Sequence, residues 1–260
     1  MLIASWNINS IRVRLSILQK WLEKRNPDVV LLQEIKCENE TFPEDFLNEL
    51  GYISKVHGEK GKNGVAILLK KEFSSEINQI ITKDFNQTNH SRFISIYLKT
   101  INCHICCLYT PNGNPVNDEK KFRNKLLWFK NLINFTKLFI QKEENVILGG
   151  DFNVLENKLD VKDIDNWKSD ALGNDEVIRL FRQLISLGLT NVIRLYRKPG
   201  QSYTFWDYQK QCWQRNYGLL IDHFLVSPKI IEKICDFGVD SYTRNLDKPS
   251  DHVPIWIRID

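Results

Sequence analysis

The apolar positions at the start of the chain follow two different spacings. Continuous apolar runs at 2–6 and 28–33 predict β-strands, the second of them buried on both faces. Between them, residues 10–25 carry apolar side chains that fall on one face of an amphipathic helix: Ile11, Leu15, Leu18 and Leu22. Ser10 is the predicted N-cap, and Asn26-Pro27 is predicted to end the helix. The pattern therefore predicts a β-α-β unit.

The rest of the chain continues to alternate strand patterns with helix patterns. Strands are predicted at 64–69, 93–98, 103–109, 146–148, 219–226 and 253–259, and helices at 118–140 and 174–187. No Pro/Gly/Ser-rich linker interrupts the series, so we expect one α/β domain over 1–260. Each half alternates strands and helices, which is compatible with a pair of packed sheets.

Composition and charge narrow the class of protein only slightly. The net charge of +4 is compatible with a polyanionic partner but does not require one. The N-terminus has neither the basic nor the apolar region of a signal peptide, and no apolar run is long enough to cross a bilayer. We therefore expect a cytoplasmic protein with no membrane partner.

Two of the six cysteines, Cys103 and Cys106, form a C-x-x-C pair with two interpretations. The spacing is compatible with a zinc site. The pair lies inside an apolar strand, however, where an odd separation places side chains on opposite faces. We favour buried reduced thiols, which suit a cytosolic setting.

Asn7 and Glu34 each follow an apolar strand directly. Ligand sites in α/β sheets favour the carboxyl ends of strands. Glu34 is either an exposed residue at the end of a strand or a ligand for a hard cation, because Mg²⁺ prefers carboxylate oxygen.

Asp151 and Asn153 follow the strand at 146–148, after a pair of glycines. The glycines permit a tight turn and the close approach of a substrate. One interpretation of the two polar residues is a simple Asx turn. The other, which we favour, is a carboxylate that orients or deprotonates a water beside an amide that hydrogen-bonds a phosphate.

Asp222 lies in a segment that is apolar on both sides, so its carboxylate needs a partner or a raised pKa. His252 could be that partner. An Asp–His pair would fix the tautomer of the imidazole and keep it charged for contact with a phosphate oxygen. His252 taken alone is more simply explained as a structural histidine.

Two other segments are ambiguous from their residues alone. Tyr109 precedes Thr-Pro-Asn-Gly, which is ordinary turn chemistry. Residues 203–217 interleave aromatic side chains with Lys210 and Arg215, a composition that suits nucleic acid but also a core strand with a polar loop. The basic cluster at 120–125 is expected on a solvated face.

Together these segments resemble the exonuclease III family of abasic-site endonucleases, within the endonuclease/exonuclease/phosphatase superfamily. The resemblance runs essentially end to end. The matching motifs are Trp6-Asn-Ile-Asn-Ser-Ile-Arg, Leu32-Gln-Glu-Ile-Lys, Asn63-Gly-Val-Ala-Ile, Tyr109-Thr-Pro-Asn-Gly, Gly150-Asp-Phe-Asn, Tyr203-Thr-Phe-Trp-Asp-Tyr, Ile221-Asp-His and Lys248-Pro-Ser-Asp-His.

The resemblance implies a four-layer α/β sandwich of two packed mixed sheets flanked by helices. It also implies a monomeric DNA-repair nuclease that hydrolyses the phosphodiester 5′ to abasic sites in duplex DNA, with 3′-phosphodiesterase and 3′→5′ exonuclease activity on 3′-blocked ends. The alternative is a phosphatase or lipid phosphodiesterase of the same superfamily. The Asn-Ser-Ile-Arg opening, the aromatic segment and Lys-Pro-Ser-Asp-His look specific to the DNA-repair branch, which favours DNA.

The resemblance assigns roles to the residues that match the motifs. The implied cofactor is Mg²⁺, with Mn²⁺ as a substitute, and its expected ligands are Asn7, Glu34, Asp151, Asn153, Asp251 and His252. The expected catalytic residues are Tyr109, Asp151, Asn153, Asp222 and His252. The expected substrate contacts are Arg92, Asn112, Phe205, Trp206, Trp213 and Leu219.

Two positions depart from many relatives. Leu220 stands where arginine is frequent, which removes one expected DNA contact, and Asn9 stands where some relatives have aspartate.

Overall fold

Two six-stranded sheets form the centre of the protein. The computed structural model describes residues 1–196 and 203–260. The strands are β1 Leu2–Asn7, β2 Val29–Gln33, β3 Tyr52–His57, β4 Val65–Lys70, β5 Ile77–Thr82, β6 Phe93–Leu98, β7 Cys103–Tyr109, β8 Asn145–Asp151, β9 Thr190–Asn191, β10 Asp222–Val226, β11 Ile234–Val239 and β12 Ile255–Ile259. The first sheet has the order β11-β12-β1-β2-β4-β3, and the second has the order β5-β6-β7-β8-β10-β9.

Helices cover the outer faces of the two sheets. They are α1 Leu15–Arg25, α2 Glu44–Glu49, α3 Glu119–Gln141, α4 Asp175–Ile185, α5 Val192–Tyr196 and α6 Pro228–Ile231. Short 3₁₀ turns lie at Asn39–Thr41, Lys71–Glu76, Lys99–Ile101, Ile164–Trp167 and Ser241–Asn245. None of the helices in the described ranges has the length and apolar character required to span a membrane.

The central strands are apolar on both faces because each sheet is covered twice. In β1, Ile3 packs into the core between the two sheets, whereas Leu2 and Ala4 pack with helix α1 on the outer face. A third core lies between the second sheet and helices α3 and α4. The layers are therefore helix, sheet, sheet and helix, which confirms the predicted four-layer sandwich.

The two parallel strand pairs occupy equivalent central places. β1 pairs in parallel with β2, and β7 pairs in parallel with β8, while their other neighbours are antiparallel. Parallel neighbours end at the same edge of a sheet, so each sheet presents two strand ends at one point. The predicted mixed sheets are confirmed, and so is the β-α-β unit that β1, α1 and β2 form.

Helix α1 begins later than the pattern predicts, and the prediction that Ser10 is its N-cap is wrong. Asn9 and Ser10 have positive φ angles of 45° and 84°, which a right-handed helix excludes. Their segment instead runs beside the end of β2, where Ser10 N–H donates to Glu34 O at 2.7 Å and Ile11 N–H donates to Ile35 O at 3.2 Å. Asn26, in the left-handed conformation, ends the helix as predicted.

Within the described ranges, the strands that the pattern missed are the edge strands of the two sheets, β3, β5, β9 and β11. An edge strand contacts the core through fewer side chains, so its hydrophobic pattern is weaker. Strand β5 illustrates the effect because most of its residues are exposed or half-buried.

Cys103 and Cys106 are free, buried thiols on opposite faces of β7. Cys103 packs between the sheets and Cys106 packs against the helical layer. The favoured interpretation of the C-x-x-C pair as two buried thiols is thus confirmed.

Gly150 offers a test of how closely β7 and β8 approach. Its φ is +154°, and a Cβ at this position would lie 2.0 Å from the carbonyl oxygen of Leu108 on β7. Gly150→Ala is therefore expected to lower the free energy of unfolding by about 3 kcal/mol. Gly51→Ala is the matched control, because Gly51 has a φ of +88° but open space around it. It should cost only about 1–2 kcal/mol of backbone strain. Equal losses in urea denaturation would contradict this packing.

Candidate active site

Three residues of the second sheet are aligned by strand register at one edge. Asp151, the last residue of β8, is the register partner of Tyr109 on β7 and of Asp222 on β10. On the first sheet, Asn7 ends β1 and Glu34 immediately follows β2. The polar residues that follow apolar strands along the sequence therefore meet in space.

The side chain of Asn7 joins the two sheets. Its amide nitrogen donates to Glu34 Oε1 at 2.9 Å and to Asp151 Oδ2 at 3.0 Å. Its Oδ1 accepts from the backbone N–H of Asn9 at 3.1 Å. Asn7 is fully buried, so these contacts satisfy an amide that would otherwise be costly to bury. In this arrangement Asn7 presents its nitrogen, rather than its oxygen, to the carboxylates.

Asp151 and Asn153 converge through a turn. Asn153 has a φ of 47°, so the backbone here is left-handed rather than extended. Its backbone N–H donates to Asp151 Oδ1 at 2.9 Å, and its amide nitrogen lies 3.3 Å from Asp151 Oδ2. An Asx turn is therefore present, and it fixes the Asp151 carboxylate with Oδ2 directed towards Asn7. The structural and functional interpretations of this motif are compatible.

Asp222 and His252 form the pair that the sequence predicts. His252 Nδ1 lies 2.9 Å from Asp222 Oδ2, and both side chains are almost completely buried. The other ring nitrogen, Nε2, lies 3.7 Å from Asp151 Oδ2. Among the residues that the structure describes, Asp222 Oδ1 has no hydrogen-bond partner. The imidazole therefore lies between two carboxylates.

The loop that carries His252 is fixed to the first sheet. Ser250 Oγ donates to Asn7 O at 2.7 Å, and the indole of Trp6 donates to His252 O at 3.1 Å. Asp251 accepts a hydrogen bond from the side chain of Asn9 at 3.0 Å. Asp251 thus lies at the margin of the site and is linked to Asn7 through Asn9.

Lys36 supplies a cation whose role the sequence did not reveal. Its ammonium lies 3.0 Å from Glu34 Oε2 and donates to Asn9 Oδ1 at 2.5 Å. The positive φ angles at Glu34 and Lys36, 50° and 52°, turn both side chains out of the strand direction. The only sequence signal for this contact was the position of Lys36 two residues after Glu34.

The pKa values of the two carboxylates, Glu34 and Asp151, are shifted in opposite directions. Burial works against ionisation of Glu34, but Lys36 and the Asn7 amide outweigh it and hold the pKa of Glu34 below its ordinary value. Burial is the main reason that the pKa of Asp151 rises to about 7, with His252 opposing the rise and Asp222 adding to it. Asp151 is therefore poised to exchange a proton near neutral pH.

His252 stays protonated at neutral pH. Burial alone would lower the pKa of the imidazole, but Asp222 and Asp151 outweigh burial and raise it to about 10. A buried imidazolium is suited to stabilising negative charge on a phosphate.

Tyr109 is held between an anion and a cation. Burial, with the nearby Glu34 carboxylate, raises the pKa of the phenol well above its ordinary value. The guanidinium of Arg92 lies 4.5 Å from the centre of the Tyr109 ring, and its Nη1 donates to Tyr109 O at 3.3 Å. Tyr109 therefore keeps its proton and can donate a hydrogen bond.

Lys125 is fully buried, which contradicts the expectation that its cluster is solvated. Its ammonium donates to Asn112 O at 2.9 Å and to Asn153 O at 2.6 Å. Burial lowers the pKa of Lys125 to about 7, against the attraction of Asp151 and Asp170. A signal was available, because position 125 lies three residues after Phe122 and four before Phe129, on the apolar stripe of α3.

Asn112 contacts the site indirectly. Its amide nitrogen lies 3.5 Å from Asn153 Oδ1, and its carbonyl accepts from Lys125. The turn after β7 is thereby tied to the turn after β8.

A cleft of about 650 Å³ adjoins the site, and Phe205 is common to both. The ring of Phe205 lies 4.9 Å from that of His252 and also lines this cleft, hereafter the Phe205 cleft, together with Leu219. Of the predicted pocket residues, Phe205 is thus brought to His252, and Leu219 lines the same cleft.

Trp206 and Trp213 are placed differently. Trp206 is only 3% exposed, and its ring meets that of Trp213 edge to face at 4.8 Å. Trp206 Nε1 donates to Asn216 Oδ1 and Trp213 Nε1 donates to Asn245 Oδ1. Both indoles pack within the aromatic segment: Trp206 is buried and needs the fixed acceptor for its N–H, and the half-buried Trp213 packs against it. Neither is among the described residues that line the Phe205 cleft.

Leu220 is fully buried. The position at which the resemblance predicts an arginine is therefore a core residue in this chain.

The oxygen donors of the site suit a hard divalent cation. Asp151, Asp222 and His252 place ligand atoms within 4.8 Å of one another. His252 Nδ1 is already engaged by Asp222, however, so the pair is better described as an ion pair. The carboxylates of Glu34 and Asp151, which Asn7 links, are the donors that remain, and a cation there would offset their repulsion.

Comparison with known proteins gives a consistent result. The sequence profile of the endonuclease/exonuclease/phosphatase family matches residues 4–252. The chain is similar to exodeoxyribonuclease III of Haemophilus influenzae, with 33% identity over 264 residues that cover 97% of each protein.

Solved structures agree with the sequence comparison. An AP endonuclease from Archaeoglobus fulgidus matches with a TM-score of 0.91 at 30% identity and covers 100% of this chain and 99% of that one. A 3′ phosphatase from Neisseria bound to a product DNA hairpin matches with a TM-score of 0.93 at 32% identity and the same coverage.

The ion pair between Asp222 and His252 can be tested by its effect on protonation. Asp222→Asn removes the largest contribution that raises the pKa of His252, so this pKa should fall from about 10. In the native protein the pair stabilises the fold fully below the ordinary histidine value of 6.5, and this contribution is lost as pH rises through about 10. NMR titration of the metal-free protein measures the shift. Asp251→Asn, which removes a smaller contribution, should lower the pKa of His252 less. An unchanged pKa in Asp222→Asn would rule out the pair.

Proposed function

The chain belongs to the endonuclease/exonuclease/phosphatase family, and from that premise we propose that it is a DNA-repair nuclease. Its main reaction would be hydrolysis of the phosphodiester 5′ to an abasic site in duplex DNA, which leaves a 3′-hydroxyl. The same site would remove 3′-blocking groups and 3′-terminal nucleotides. Residues 1–260 would act as one catalytic domain.

The observation that carries the proposal is the alignment of Asp151 between Tyr109 and Asp222, with Asn7 connecting it to Glu34. A proton acceptor, a protonated phenol and a buried imidazolium thus surround one space. Hydrolysis of a phosphodiester requires a group that activates water and groups that stabilise the added negative charge. The site supplies both kinds of group.

The residues of the chain divide the work as follows. Asp151 accepts a proton from the attacking water, and its raised pKa suits that task near neutral pH. Asn153 orients Asp151 through two contacts. His252 Nε2 and the Tyr109 hydroxyl donate to the phosphate oxygens as the water adds. The bond from phosphorus to the 3′-oxygen breaks, and that oxygen takes up a proton from solvent.

Glu34 and Asp151 would hold Mg²⁺, for which Mn²⁺ could substitute. When bound, the ion would neutralise charge on the phosphate and position its oxygens. Asn7 sets the separation of the two carboxylates, and Asp251 lies close enough to contribute through Asn9. Lys36 would give up its contact with Glu34 Oε2 as the ion binds.

Two observations support DNA as the substrate. The relatives named above are an exodeoxyribonuclease, an AP endonuclease and a 3′ phosphatase bound to a DNA product. Arg92 adds a cation beside Tyr109, and the Phe205 cleft lies next to His252, where a sugar turned out of the duplex would be placed. These observations favour DNA repair over the lipid phosphodiesterase alternative. We further propose that the protein acts as a monomer in the cytoplasm.

The proposal is tested by incubating the protein with a duplex that contains one tetrahydrofuran abasic analogue. With Mg²⁺ the strand should be cut immediately 5′ to the analogue, and EDTA should abolish the cut. An undamaged duplex and a phosphoinositide are the controls. Turnover of the phosphoinositide without incision would favour the lipid phosphodiesterase alternative, and binding without incision would mean that the site is inactive.

Asp151→Asn tests the assigned base. The variant retains the shape of the side chain but cannot accept the proton, so kcat should fall by about 10²–10⁴-fold while the Kd for the abasic duplex changes little. Single-turnover kinetics and fluorescence anisotropy measure the two quantities. A variant with native turnover would remove Asp151 from the mechanism.

A further inference from the structure

Lys125 is a buried cation that takes no part in the reaction steps. Its side chain is fully buried on the sheet-facing side of α3, and its ammonium donates to the carbonyl oxygens of Asn112 and Asn153 at 2.9 and 2.6 Å. Burial of an ammonium is costly, and an apolar side chain would fill the same space without that cost. The two carbonyl groups that the ammonium binds therefore explain the residue better than the packing of the core does.

The stem of Lys125 passes directly below the turn that follows β7. A Cβ at Gly113 in this turn would lie 2.6 Å from Lys125 Cδ and 3.1 Å from Lys125 Cβ. Phe129, four residues further along α3, is fully buried in the core between the helix and the second sheet, which fixes the face of the helix that carries Lys125. The ammonium thus reaches the two turns through space that the missing side chain of Gly113 leaves open.

The contact with Asn153 affects the orientation of Asp151. Asn153 has a left-handed φ of 47°, a conformation that an asparagine keeps only where its surroundings support it. The charge-assisted hydrogen bond from Lys125 to its carbonyl gives that support, together with the bond from its side chain to Thr110 O at 2.9 Å. In this conformation the Asn153 N–H donates to Asp151 Oδ1 at 2.9 Å. Lys125 is therefore linked to Asp151 through the backbone of Asn153.

From these contacts we propose that Lys125 is a positioning residue for the hydrolysis. Its ammonium holds the turns after β7 and β8 together, and the second of these turns keeps the Asp151 carboxylate in the orientation in which it accepts a proton from water. The inference rests on the proposed function, and it adds a residue that acts only through Asn112 and Asn153.

Lys125→Met tests the role, because it removes the ammonium and keeps an unbranched side chain. Misplacement of a reacting group by about 1 Å can cost roughly 100-fold in rate, so kcat for incision of the abasic duplex should fall by about ten- to a hundredfold. The Kd for the duplex should change much less, because most contacts with the DNA remain. Single-turnover kinetics and fluorescence anisotropy measure the two quantities.

Leu132→Ala is the matched control. Leu132 is fully buried on the same face of α3, two turns beyond Lys125, and it contacts the core rather than the turns. The cavity left by this substitution should lower the midpoint of urea denaturation but leave kcat of the folded protein unchanged.

A double variant distinguishes positioning from a general loss of structure. If Lys125 acts through Asp151, Lys125→Met should have little further effect on kcat in an Asp151→Asn background, because residues that act as a unit are not additive. Lys125→Gln keeps an N–H donor, so it should fold even if Lys125→Met does not, and it should show a smaller loss of the same kind. Native kcat in the Lys125 variants that fold, or a loss that persists in full beside Asp151→Asn, would overturn the inference. Failure of the native protein to cut the duplex would instead overturn the proposed function.

Discussion

The hydrogen bonds from the Asn7 amide to Glu34 and Asp151 are the contact on which the rest of the site depends. They join carboxylates from two different sheets, and they do so in a place from which water is largely excluded. The buried carboxylate of Asp151 and the half-buried carboxylate of Glu34 share one donor, and they repel each other unless donors or a cation lie between them. The Asn7 amide offsets part of this repulsion. A divalent cation bound by the two carboxylates would offset the rest. The packing of the two sheets therefore determines the chemistry of the site.

Much of this site could be predicted because the hydrophobic pattern of the sequence indicates where the strands end. Asn7, Glu34 and Asp151 follow apolar runs, and parallel neighbours bring such positions together. Asp222 and His252 were predicted as a pair because a carboxylate between apolar residues needs a partner. The edge strands β3 and β11 were missed, since their sparse contacts leave little pattern. The helix start at Ser10 was misjudged because pairing with the end of β2 overrides local capping preference.

The contacts that the sequence did not reveal are those that depend on tertiary burial. Lys125 belongs to a run of charged residues, yet it lies on the buried face of α3 and binds two carbonyl oxygens beneath the site. Trp206 belongs to a segment that looked suited to substrate, yet its indole is packed inside. In both cases the residue type alone is ambiguous. Whether the side chain faces solvent, the core or a substrate depends on the layer of the fold that packs against it. The Phe205 cleft has the same origin, because its walls come from two segments that are far apart in the sequence, 161–167 and 205–219.

The central claim is that the two sheets build one catalytic unit. A double-mutant cycle between Glu34→Gln on the first sheet and Asp222→Asn on the second tests this claim most directly, with single-turnover incision of an abasic duplex as the measurement. Residues that act as a unit show strongly non-additive effects. We therefore expect the double variant to be only slightly slower than the slower single variant. Losses in activation free energy that simply add would mean that the two residues act independently, and would contradict the account.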